Sequence, residues 1–105
     1  MKAAVLLGPR FLEIREVPEP RPRTGEVLIR VKEAGICGTD YALYSGKLLT
    51  KFPIIPGHEA KGEVAAVGPE VKGFSTGDRV TIQPNFFCGK CPMCLRAWGI
   101  SVSIR

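Results

Sequence analysis

Cys37-Gly38-Thr39-Asp40, followed downstream by Pro56-Gly57-His58-Glu59, is the stretch whose reading decides the fold. It joins a thiol, the only imidazole of the chain and a carboxylate, each beside a glycine or in a polar turn. These are the donor types that a borderline-soft ion such as Zn²⁺ prefers. The rest of the sequence reads as a scaffold for that pocket.

Immediately upstream, Glu26 to Ala34 alternates Val27, Ile29 and Val31 against Leu28, Arg30 and Lys32. The alternation predicts a half-buried strand, launched by Thr24-Gly25 and delivering Gly35-Ile36-Cys37. Thr39 to Tyr44 is predicted to form a short helix with Asp40 in its first turn and Gly46 at its end. A cysteine at such an N-terminus has its thiolate stabilised by the helix dipole, which favours metal ligation or nucleophilic chemistry. Between the two clusters, Phe52-Pro53-Ile54-Ile55-Pro56 is an apolar connector whose two prolines stiffen the approach to His58.

Further out, Lys61 to Val67 and Asp78 to Ile82 are predicted strands, the first with Gly62, Val64 and Ala66 on one face. Lys2 to Leu7 and Phe11 to Val17, separated by Gly8-Pro9, predict an opening hairpin in which Leu12 and Ile14 alternate with Glu13 and Arg15. Pro18, Pro20 and Pro22 then forbid regular ladder pairing and mark an extended loop. Short strands divided by Gly and Pro turns, with one brief helix, predict a mainly β fold, a small, partly open β-barrel. No Gly-x-Gly-x-x-Gly stands between a strand and a helix, and no βαβ alternation occurs, so no nucleotide-binding half is recognisable.

Length and charge bound the function. A chain of 105 residues reads as one domain, burying roughly 60–70% of its unfolded surface. The formal charge is +5, but Lys and Arg are dispersed among acidic residues, which argues against nucleic-acid and membrane-surface partners. No apolar run approaches the roughly 20 residues that span a bilayer. The first residues are too short an apolar stretch for a signal peptide, so a cytoplasmic location is expected. Asn85 and Gln83 are the sole amides, a depletion that points to a thermophilic source, in whose cytosol disulfides occur.

A second cluster, Cys88, Cys91 and Cys94, has the close Cys-x-x-Cys spacing that lets neighbouring thiolates share one ion. From Leu95 onward there is no Cys, His, Asp or Glu, so the tail supplies no fourth ligand. Three thiolates then hold zinc with water or a distant carboxylate, or they are free or oxidised, with Cys88 to Cys91 as one candidate bridge.

Gly35-Ile36-Cys37-Gly38-Thr39-Asp40, Pro56-Gly57-His58-Glu59, Gly62-Glu63-Val64, Val67-Gly68, Gly77-Asp78-Arg79-Val80 and Cys88-Gly89-Lys90-Cys91-Pro92-Met93-Cys94 fall in one recognisable order. Over residues 1–96 the chain resembles the N-terminal catalytic domain of zinc-dependent medium-chain alcohol dehydrogenases, nearest the threonine and sorbitol dehydrogenase branch. The resemblance implies a GroES-like barrel with a cysteine-rich lobe near its C-terminal end. It implies Cys37 and His58 as ligands of a catalytic zinc, Glu59 as an outer or alternating ligand, Thr39 as the hydroxyl relaying the substrate proton, and Asp40 as an acceptor orienting the site. It further implies a structural zinc at Cys88, Cys91 and Cys94, whose fourth family cysteine falls at the position of Val102. The metal would act as a Lewis acid on the alcohol oxygen before hydride leaves for NAD(P).

In that family a further catalytic ligand and the Rossmann domain lie beyond the position of residue 105. The chain is therefore expected to be a truncated catalytic domain that binds no NAD(P) and is inactive alone. The tail, residues 97–105, departs from the family pattern, as a shift of reading frame would explain. Self-association, most simply as a dimer, is expected from apolar surface normally covered. Two other readings stand beside this one: half of a split dehydrogenase completed by a separate Rossmann subunit, and a small zinc-binding or redox module.

Overall fold

The computed structural model describes residues 1–85, 88 and 90–92, and Cys94 and the tail 97–105 lie outside them. Among the described residues five strands and one helix run in the order β1 (Lys2–Gly8), β2 (Phe11–Glu16), β3 (Val27–Gly35), α1 (Gly38–Ser45), β4 (Glu59–Val67) and β5 (Arg79–Thr81). The fold is mainly β. The described strands form two small antiparallel sheets, β1-β2 and β3-β4-β5, and close no barrel among themselves.

The opening hairpin forms as the alternation predicts, with Lys2 opposite Glu16 and Leu6 opposite Leu12. Leu6, only 1% exposed, anchors the hairpin. On its other side β1 is bridged by the connector, because the Leu6 N–H donates to the Ile54 carbonyl at 2.8 Å and the Ile54 N–H returns the bond at 3.0 Å. The connector that leads to His58 is thus fastened to β1 by hydrogen bonds as well as stiffened by proline.

Helix α1 begins at Cys37, whose extended backbone (φ −92°, ψ 159°) is that of an N-cap. It stops at Gly46, which takes the left-handed φ of 81° that a Cβ-bearing residue resists. The Arg10 N–H donates to the Tyr44 carbonyl at 2.6 Å, so the tip of the first hairpin seats on the last turn of the helix. No helix among the described residues is long and apolar enough to cross a membrane.

Two sequence expectations change in the structure. The alternation of β3 does not translate into burial at Val31, which is 51% exposed: β3 is exposed from Arg30 to its end, and its pairing with β4 is irregular on both sides of Val31, between Leu28 and Ile29 and between Val31 and Glu33. Leu12 and Ile14 of β2 form the apolar face of their strand, yet Ile14 is 68% exposed. Leu12 is 47% exposed. Burial concentrates instead in Val5, Leu6, Val64 and Val80.

Candidate metal centre

The centre follows from one register. Gly35, the last residue of β3, pairs with Glu59, the first of β4. In an antiparallel pair the residues leaving one strand lie beside those entering the other, so Cys37 and His58 emerge next to each other although the helix and connector separate them in sequence. Gly57, at φ 114°, turns the connector into β4 through backbone space that favours glycine.

One donor atom from each of Cys37, His58 and Glu59 lies within 4.8 Å of the other two, and no other cluster of this kind occurs among the described residues. Donors around a tetrahedral zinc sit about 3.3–3.6 Å apart, given bonds of about 2.0–2.3 Å. Small side-chain rotations therefore bring the three to ligating distance. The soft thiolate, the borderline imidazole and the hard carboxylate suit zinc and leave a position open, as in catalytic rather than structural sites.

Asp40 ties this set together. Its Oδ2 accepts the Cys37 N–H at 2.9 Å, which fixes the helix start and with it the cysteine. Its Oδ1 is buried without a hydrogen-bond partner and lies 3.6 Å from His58 Nδ1. That separation is too long for a hydrogen bond, but a small turn of the imidazole satisfies an oxygen that is costly to leave unpaired. With Nδ1 on the side of Asp40, Nε2 is the nitrogen on the side of Glu59, 4.0 Å from its Oε1. A carboxylate behind a ligating histidine selects its tautomer and raises its basicity. The orphaned oxygen and the donor chemistry both fit a zinc ion.

Thr39 is exposed in the first turn of α1, with its Oγ1 3.8 Å from Cys37 Sγ. Cys88 and Cys91 lie in the separate C-terminal lobe. There the N–H groups of Lys90 and Cys91 both donate to Cys88 Sγ, at 3.4 and 3.2 Å. Cys94, the third cysteine of that motif, lies outside the described residues.

Beside Asp40 and Gly57, a cleft of about 340 Å³ is walled by Leu6, Leu12, Ile36, Tyr41, Tyr44 and Pro56. None of the three donors lines it. Sequence reasoning missed this cleft, although Tyr41 and Tyr44 at helical spacing were its signal. A larger hollow of about 520 Å³ lies on β4-β5 among Lys61, Glu63, Arg79 and Thr81, and holds none of the centre's donors.

A mainly β scaffold that delivers a cysteine at a helix start and a histidine at the head of the adjacent strand defines a GroES-like domain with a metal-competent centre. The family described as alcohol dehydrogenase GroES-like domain matches residues 23–100. The chain belongs to that family. It is 44% identical over 98 residues to sorbitol dehydrogenase of Bacillus subtilis, a match covering 90% of this chain and 28% of the relative. It is 44% identical over 88 residues to L-threonine 3-dehydrogenase of Pyrococcus horikoshii, covering 80% of this chain and 25% of that enzyme. Among solved structures, the cobalt- and zinc-bound thermostable alcohol dehydrogenase of Pyrobaculum aerophilum superposes with a TM-score of 0.86 at 42% identity, covering 93% of this chain and 31% of the other. The chain thus spans between a quarter and a third of the length of these relatives.

Proposed function

We propose that this chain is the metal-holding catalytic domain of a zinc-dependent alcohol dehydrogenase, with Cys37, His58 and Glu59 as the protein ligands of one zinc ion. The observation that carries this reading is the meeting of those three donors within 4.8 Å, with a buried, unpartnered Asp40 oxygen behind the histidine. When bound, the metal supplies Lewis-acid polarisation of an alcohol oxygen.

The chain's own residues do the positioning. Asp40 holds the imidazole in the tautomer that frees Nε2. Glu59 is exposed and His58 half-buried, so the open side of the donor triangle faces solvent, from which an alcohol approaches. The Thr39 hydroxyl borders the sulfur and is placed to accept the alcohol proton and hand it on to water.

Hydride needs a nicotinamide acceptor, and the described residues contain no parallel βαβ unit to cradle its pyrophosphate. NAD(P) binding is therefore assigned to a Rossmann unit outside residues 1–105, on a longer polypeptide or on a separate subunit. The exposed apolar side chains of β2, Leu12 and Ile14 on one face and Phe11 at its start, support self-association as a two-fold dimer when no other partner covers them.

The test is Co²⁺ titration of the metal-free chain carrying Cys88→Ser and Cys91→Ser, read by thiolate-to-cobalt charge transfer and d–d absorption. One tetrahedral site that disappears with His58→Ala is expected. A parallel assay with a primary or secondary alcohol and NAD⁺ or NADP⁺ should show no reduction by the chain alone. Absence of the cobalt bands, or their persistence in His58→Ala, overturns the metal reading, and nicotinamide reduction by the chain alone overturns the division of labour.

A further inference from the structure

Gly35 sits where a strand residue of ordinary size would be expected, since glycine weakens a strand and marks a local need. Its backbone shows no positive φ, unlike Gly25, Gly46 and Gly57, so the need is not for an unusual dihedral. A Cβ placed on it would meet Glu59 Oε2 at 2.8 Å, Glu59 Cβ at 3.4 Å and Glu59 Cδ at 3.8 Å. All three nearest atoms belong to the one residue that Gly35 opposes in the sheet. The Glu59 carboxylate lies over the bare Cα of Gly35.

Resting on the metal reading above, we infer that Gly35 is a positioning residue for Glu59, whose carboxylate reaches the Cys37–His58 pair because position 35 has no side chain. Directly opposed residues in an antiparallel pair have neighbouring side chains, so any group at 35 competes with Glu59 for the same space. One carboxylate oxygen occupies that space, and the other, Oε1, is the one 4.0 Å from His58 Nε2. Filling the space moves the end of a flexible side chain and leaves the backbone in place. The sheet survives and the third ligand is displaced.

Co²⁺ titration in the Cys88→Ser/Cys91→Ser chain tests this by comparing Gly35→Ala, Glu59→Gln and the double variant. Gly35→Ala is expected to bind Co²⁺ about 10–100-fold more weakly, the range for losing a residue that orients a ligand. Its d–d bands should lose intensity as water replaces a protein ligand. The double variant should match Glu59→Gln alone, because without the carboxylate there is nothing left to position. Unchanged affinity and spectrum in Gly35→Ala, or an equal further loss in the Glu59→Gln background, overturns the inference while leaving the metal reading intact. A Gly35→Ala chain that fails to fold, judged by circular dichroism of the metal-free protein, also overturns it, since the glycine would then serve the backbone. If the parent binds no Co²⁺, the metal reading falls first and this inference with it.

Discussion

The two cysteine-bearing regions of this molecule are built on opposite principles. The C-terminal lobe gathers Cys88 and Cys91 from one turn of chain, and two successive backbone N–H groups already point at the first sulfur. The Cys37–His58–Glu59 centre takes donors from the ends of two paired strands, with a helix and a connector between them. The Cys88–Cys91 pair needs only its own turn, whereas the Cys37–His58–Glu59 cluster needs β3 and β4 in register, the connector bridged to Leu6, and Asp40 in place. The contrast teaches that the second centre reports on the whole fold.

The comparison breaks most sharply at His58. In a chain that keeps all four cysteines, His58→Ala should weaken Co²⁺ binding at the strand-end centre by more than about 100-fold, beyond the loss expected for an outer residue. Any Co²⁺ bound by the C-terminal cysteines should be untouched, and isothermal titration with spectral assignment separates the two. Equal losses at both would mean the regions are not independent.

Asp40→Asn comes next. It keeps the shape of the side chain but removes the charge behind the imidazole, and should weaken the same centre about 10–100-fold. It also exchanges the carboxylate that accepts the Cys37 N–H for an amide whose oxygen can accept the same bond, so the cost to the fold should be no more than about 1 kcal/mol. A large fall in the Tm of the metal-free protein would show that Asp40 serves the fold more than the metal.

Gly57→Ala should act through the backbone, where a Cβ at φ 114° costs about 1–3 kcal/mol. That corresponds to a Tm several degrees lower, measured by thermal denaturation. The smallest effect is expected from Cys88→Ser with Cys91→Ser: neither cysteine belongs to the Cys37–His58–Glu59 cluster, so Co²⁺ affinity there should stay within about twofold, as for sites that share no partner.

Local pattern alone determined much of this protein. The alternation of β1 and β2, the helix that starts at Cys37 and ends at Gly46, and the donor types at Cys37, His58, Glu59, Cys88 and Cys91 were all legible, because each depends on a few neighbouring residues. Only the tertiary structure decided that Cys37, His58 and Glu59 share one place, since the pairing of Gly35 with Glu59 is a long-range choice of register. It also decided that Val31 and Ile14 are exposed, that Leu12 walls a cleft with Tyr41 and Tyr44, and that the space above Gly35 is filled by a carboxylate. Periodicity says which residues share a face. Which face is buried, and what a missing side chain makes room for, depends on the neighbour that the fold brings alongside.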